Sequence, residues 1–204
     1  GPAYLWYEII HPRFLRKTVD EWGQPGVDAG DVVVDDLDDV AWRLRALGGL
    51  KNTLGRRILC LGGASGWGAG GKLAPELSRQ RFKMDLVETS YDDLDRRLKE
   101  ARLNDGAVKL AREQAGAYLS SKGVRLETDR EYVDKAFLLT SVIRKMMRDT
   151  GATAFTINNC MSTVMKVGET TACLSLSLLN DEGYLAFCES DFVVIPSGIL
   201  LHYI

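Results

Sequence analysis

An α/β fold with a parallel sheet is what the sequence predicts, and two observations carry the prediction. The first is an order of elements. "RRILCLGG" (56–63) reads as a strand running into a glycine-rich loop, "RFKMDLVET" (81–89) as a second strand, and "SYDDLDRRLKEARL" (90–103) as a helix. Strand, loop, helix, strand and helix in succession argue for a parallel layer covered by helices. The second is composition. With 204 residues, 46% hydrophobic and 26% charged, the chain can bury one sizeable core or two smaller ones.

The remaining elements follow in chain order. "DVVVDD" (31–36) reads as a short buried strand bounded by acids. "LDDVAWRLRALGG" (37–49) reads as a helix with Leu37, Val40, Ala41, Leu44 and Leu47 on one side, stopped by Gly48 and Gly49. The helix of 90–103 opens on a Ser90 cap, with acids in its first turn and cations later, as the helix dipole prefers. A longer polar helix is expected over 105–123. Another follows over 129–151, where Tyr132, Val133, Ala136, Phe137, Thr140, Ile143 and Met147 recur at helical spacing before the Gly151 stop. Met146 and Met147 are read as core filling. From Gly151 the texture shifts to short runs, "ATAFTINNC" and "TTACLSLSLLNDEGYLAFCESDFVVIP", with "NDEG" as a turn. The expected organisation is therefore residues 1–50 as the end of a preceding domain or a connecting segment, 51–150 as a Rossmann-like α/β domain, and 151–204 as the beginning of a C-terminal catalytic domain of mixed α/β type. The start at Gly1-Pro2 and the apolar end "GILLHYI" suggest a fragment of a longer protein.

Charge and cysteine usage exclude several classes. A formal net charge of −2, with both signs interleaved, offers no basic stripe to a nucleic acid and no polybasic membrane segment. No apolar run reaches the ~18 residues of a membrane span, and no signal-peptide pattern opens the chain. Cys60, Cys160, Cys173 and Cys188 lack CxxC spacing and lie in or beside apolar runs, so they are expected as buried reduced thiols of a cytoplasmic protein and not as disulfides. A homo-oligomer is expected, because the apolar end calls for a covering surface.

Two motifs compete for chemistry. "GWGAGG" (66–71) satisfies G-x-G-x-x-G after a strand, and Glu88 stands where a ribose-binding acid would be. The match to a dinucleotide site is imperfect. Gly66 comes three residues past Gly62-Gly63, Trp67 is bulky, Gly68 and Gly71 complete the pattern, and Pro75 interrupts the helix meant to receive a pyrophosphate. A structural loop is the favoured reading. The sharper signal is "AFCESDFVVIP" (186–196), with Glu189 and Asp191 inside an apolar run. In an extended strand they would share one face with Phe187 and Val193. Two carboxylates in apolar company need a compensating cation or proton, and all-oxygen ligation suits Mn²⁺ or Mg²⁺; the alternative is a solvated turn or strand end carrying ordinary surface acids. Glu169, in "MKVGETTAC", is a third acid 22 residues upstream of Asp191; by itself it reads as a first-turn helix acid. His11, beside Pro12, is read as a surface or capping residue without a role.

The segments "LLTSVIRKMMRDTG", "GETTACLSLSLLNDEG" and "AFCESDFVVIPSGILLH" resemble, in that order, three consecutive stretches of L-fucose isomerases and related L-fucose/L-arabinose isomerase-like proteins. "RILCLGGASGW" and "FKMDLVETSYDDLDRRL" are similar to that family's middle domain, so the resemblance spans about residues 50–204. It implies a metal-dependent aldose–ketose isomerase acting on a free monosaccharide through an enediol, with Mn²⁺ or another divalent cation such as Mg²⁺. It also implies Glu169 and Asp191 as catalytic and metal-binding carboxylates, and Glu189 and Asn159 on the substrate side. The family's histidine ligand has no counterpart, since His202 stands in a different context, and the chain alone is expected to be inactive. A nucleotide-binding Rossmann module and an inert interaction fragment are the alternatives.

Overall fold

The computed structural model describes Val33 and residues 36–204. His11 and most of the strand expected over 31–36 lie outside the described residues. The chain divides into Gly1–Leu47 and Gly48–Ile204 as compact units. Helix α1 (Leu37–Thr53) runs across that division, so Gly48-Gly49 do not end it. Gly49 is instead a close-packing position, where a Cβ would lie 2.9 Å from Cγ1 of Ile204.

The second unit is α/β, built on a four-stranded, all-parallel sheet in the order β2-β1-β3-β4. Its strands are β1 (Arg57–Leu61), β2 (Asp85–Thr89), β3 (Ala154–Ile157) and β4 (Leu185–Cys188). The helices are α2 (Ala74–Phe82), α3 (Tyr91–Arg102), α4 (Asp105–Leu119), α5 (Arg130–Thr150), the short α6 (Met165–Gly168), α7 (Cys173–Asp181) and α8 (Ile195–His202). Fold class is as the sequence predicts, and the order of strands is Rossmann-like. The boundary expected at residue 151 is not there. β3 pairs with β1 along Ile58–Leu61, so residues 154–188 continue the sheet begun at residue 57 within the one compact unit Gly48–Ile204.

Alternation along the strands sorts the core into two faces. Leu59, Leu61, Phe155 and Ile157 meet Leu94 and Leu98 of α3, Leu139, Ile143, Met146 and Met147 of α5, and Leu176 and Leu179 of α7. Ile58, Cys60 and Ala154 face the other way, against Ala74 of α2 and Ile195 and Ile199 of α8. α4 packs on the outside of α5, through Ala111 and Ala115 against Val133, Phe137 and Leu138. α5 is the pillar of this unit, with ten buried residues and Gly151 in the left-handed region at its end, φ 68°. Ser90 caps α3 by accepting from the backbone N–H of Asp93. Pro75, by contrast, stands in the first turn of α2, where its missing N–H has no helical partner to lose, so it starts that helix and does not interrupt it.

A candidate site at the carboxyl edge of the sheet

The strands end in register. Thr89, Leu61, Ile157 and Cys188 form one row across the sheet, so the residues that follow crowd one edge. In open α/β sheets ligands bind at this carboxyl edge, where the strand order reverses. The reversal lies at β1 and β3, on either side of which β2 and β4 are added.

The first turn past that row is tightly fixed. Gly62 and Gly63 have φ of 78° and 92°. A Cβ on Gly62 would lie 2.6 Å from Cε2 of Tyr91, and the Tyr91 hydroxyl donates to the carbonyl of Asn158. The Asn158 side chain donates to the Gly62 carbonyl at 3.3 Å. Ser65 then pairs with Asp191, the Ser65 N–H donating to the Ser190 carbonyl and the Phe192 N–H to that of Ser65. Loops following β1 and β4 are thereby joined above the end of β3.

Asp191 serves that junction. Its Oδ1 accepts from the Trp67 N–H at 3.0 Å and from the Val193 N–H at 3.1 Å, while α8 starts four residues later. Glu189 does not share its face. β4 ends at Cys188, and Glu189 and Ser190 both take left-handed backbone, φ 61° and 48°, which breaks the period of two on which the shared-face reading rests. Oε1 of Glu189 instead accepts from the Cys160 thiol at 2.8 Å. Sγ of Cys188 lies 3.5 Å from Sγ of Cys160 and 3.8 Å from the same carboxylate oxygen. Cys60 and Cys160 are buried, as expected, but Cys173 and Cys188 are exposed; burial and the hydrogen bond to Glu189 push the Cys160 thiol up, and Cys188 is raised by its partial desolvation at the protein surface and by the Glu189 charge. Burial pushes the Tyr91 hydroxyl up as well, and the negative charge of Glu189 adds to this.

Glu169 lies elsewhere. It follows α6 with φ 54°, and its carboxylate pairs with Lys135 at 2.7 Å and Arg102 at 3.3 Å. The Lys135 hydrogen bond, helped by the Arg102 charge, holds its carboxyl below the usual range. Its charge is already compensated by two cations on α5 and α3. The pair Glu169–Asp191 expected for Mn²⁺ is therefore not assembled: each carboxylate serves a different set of partners. Among the described residues, the group of His, Cys, Asp and Glu whose ligand atoms lie within 4.8 Å of one another is Cys160, Cys188 and Glu189. Asn159 is left-handed, φ 52°, and turns the chain from β3 into the π-helical turn Cys160–Val164. It is exposed, at the carboxyl edge of the sheet. His202 is exposed at the end of α8.

The glycines of "GWGAGG" have a structural explanation. A Cβ on Gly66 would stand 2.6 Å from the Gly71 carbonyl oxygen, and one on Gly71 only 1.9 Å from that of Gly66. The loop packs against itself there. Glu88, the would-be ribose acid, accepts from Arg79 at 2.9 Å.

Sequence reasoning missed the thiol pair and Tyr91. The signal was present: "NNC" and "FCE" each follow a strand or close one, and in a parallel sheet residues at adjacent strand ends come to one level. Among the described residues no helix is long and apolar enough to cross a membrane. No protein-family model and no curated protein matches the chain.

Proposed function

We propose that the chain carries the sugar-binding edge of an aldose–ketose isomerase resembling the L-fucose/L-arabinose isomerases. The observation that carries the reading is the clamp on Asp191. One oxygen of its carboxylate is held by two backbone N–H groups, one of them belonging to Trp67, whose surface is 64% exposed. Among the described residues nothing bonds the second oxygen. An oriented carboxylate bonded to the backbone of an exposed tryptophan suits a monosaccharide, whose C–H face stacks on indole while its hydroxyls need acceptors.

In this reading Asp191 takes the proton from C2 of the open-chain aldose and returns it to C1 while the O2 hydroxyl proton passes to O1, so that a ketose replaces the aldose with no change in composition. Asn159, exposed at the same edge, holds hydroxyls. A divalent cation would polarise the C1 and C2 oxygens. The Glu169–Asp191 pair does not fit such an ion, because Glu169 is committed to Lys135 and Arg102.

The test uses the complete protein with Mn²⁺ and L-fucose or L-arabinose, reading ketose formation. Asp191→Asn should lower turnover at least about 10²-fold, the usual size of a general-base contribution. In the chain itself, either sugar at millimolar concentration should quench a fluorescence component that disappears in Trp67→Phe. Absence of both ketose and quenching would sink the reading. Saturable NAD or ATP binding lost in Gly68→Val would replace it with the nucleotide module.

A further inference from the structure

We propose that Cys160, Cys188 and Glu189 form a binding site for a borderline-soft divalent cation of the zinc class. The inference does not depend on the isomerase reading, and it differs in kind from the all-oxygen Mn²⁺ site expected from the sequence.

Geometry is the first support. Zinc bonds thiolate sulfur at about 2.3 Å and carboxylate oxygen at about 2.1 Å, so tetrahedral ligation separates two sulfurs by about 3.8 Å and a sulfur from an oxygen by about 3.6 Å. The cluster has Sγ to Sγ at 3.5 Å and Cys188 Sγ to Glu189 Oε1 at 3.8 Å. Two of three edges of a ligand face are thus within about 0.3 Å of the ideal. The third, Cys160 Sγ to Glu189 Oε1 at 2.8 Å, is short because a thiol proton now lies between those atoms. Replacing that proton by an ion opens the edge toward the ideal.

Placement is the second. Cys160 is 3% exposed and fixed by the π-helical turn after β3, while Cys188 is the last residue of the neighbouring strand. The parallel pairing of β3 with β4, which sets Ile157 opposite Cys188, brings them to one level. Glu189 is directed to the thiols by left-handed backbone that a glutamate seldom adopts. Two sulfurs and one oxygen select zinc, cobalt or another transition ion over magnesium or calcium. Three protein ligands leave one position for water or substrate, the arrangement of catalytic and not of structural zinc.

Binding balances as one divalent ion taken up and two thiol protons released to solvent, the carboxylate entering already ionised. The ion therefore gains affinity as pH rises.

Co²⁺ is the probe. Added to the reduced chain after chelator treatment, it should give a thiolate-to-cobalt charge-transfer band in the near ultraviolet, saturating at one ion per chain and bleached by Zn²⁺. About two protons should be released per Zn²⁺ bound, measured in weak buffer. Cys160→Ser and Cys188→Ser should each abolish the band, and Glu189→Gln should weaken ion binding at least about tenfold. Asp191→Asn should leave the band intact, which separates this site from the isomerase reading. Circular dichroism establishes that each variant is folded. A folded chain with free thiols but no band would overturn the proposal. So would a band surviving in the double serine variant, or a Cys160–Cys188 disulfide that forms in air despite excess Zn²⁺.

Discussion

Replacing Gly62 by alanine should damage the carboxyl edge more than its small size suggests. Two costs add. At φ 78° an L side chain loses about 1–2 kcal/mol relative to glycine. The new Cβ would also stand 2.6 Å from Cε2 of Tyr91 and 3.2 Å from the Asn158 carbonyl oxygen, an overlap of the kind that costs about 1–3 kcal/mol in packed interiors. The sum is about 2–5 kcal/mol, centred near 3.5, which is about 7–14 °C in melting temperature for a unit of this size. Gly68 supplies the comparison: its φ is similar, 74°, yet a Cβ there meets nothing within 4 Å. Gly68→Ala should therefore show the backbone cost alone, about 1–2 kcal/mol. Thermal unfolding of Gly62→Ala, Tyr91→Leu and the double variant isolates the overlap. In the double variant the shorter leucine side chain frees the space, and about 1–3 kcal/mol should be recovered as a coupling energy. Equal losses in Gly62→Ala and Gly68→Ala, or a coupling near zero, would refute the packing of Tyr91 on Gly62.

Two further predictions concern ionisation. Because the Glu169 carboxyl is held below its usual range, its contribution is present above the ordinary glutamate pKa of about 4.3 and is lost as pH falls through the lowered value; Glu169→Gln should be less stable than wild type at neutral pH by under about 1 kcal/mol, since the carboxylate is half exposed, with the two urea midpoints converging in acid. Burial, with Glu88 adding to it, pushes the Cys60 thiol up to about 12, so at pH 8 its alkylation in the folded chain should be slower than that of a free cysteine by at least about 10³-fold, read by mass spectrometry of labelled peptides.

Where local chemistry decides, the sequence was sufficient. "RILCL" forms β1, "SYDD" caps α3, and the 3.6-residue period over 130–150 places Val133, Phe137 and Ile143 in the core. What could not be read depends on distant partners. Nothing in "AFTI" states that β3 inserts beside β1, so the texture change at Gly151 looked like a domain boundary when it marks a crossover within one sheet. The site failed in a similar way. Glu189 and Asp191 would share a face only if β4 continued, and its end is set by the pairing of Asp191 with Ser65, more than a hundred residues away. Glu169 followed apolar residues as a metal ligand might, but Lys135 and Arg102 reach it from two other helices.

Strain concentrates at the same edge, and Ser190 allows it to be measured. Among the described residues five non-glycine positions have positive φ: Lys83 and Glu169 close helices, while Asn159, Glu189 and Ser190 follow β3 and β4. Asparagine tolerates this backbone; glutamate and serine do so at a cost. Ser190 bears a second burden, because it is fully buried and its hydroxyl finds no hydrogen-bond partner among the described residues. An unpaired buried hydroxyl costs about 1–3 kcal/mol. Ser190→Ala removes that cost and keeps the backbone strain, so it should raise stability by about 1–2 kcal/mol. Ser190→Gly also removes about 1–2 kcal/mol of backbone strain but returns about 0.5–1 kcal/mol in unfolded-chain entropy, and should be at least as stable as the alanine variant. Denaturant unfolding of the three chains measures both steps. Such gains are expected where a fold has kept a strained turn because the turn positions chemistry, here the Glu189 carboxylate against the two thiols. If Ser190→Ala is instead destabilised by more than about 1 kcal/mol, the hydroxyl has a partner and the turn is held for stability. The strain would then say nothing about the thiol site.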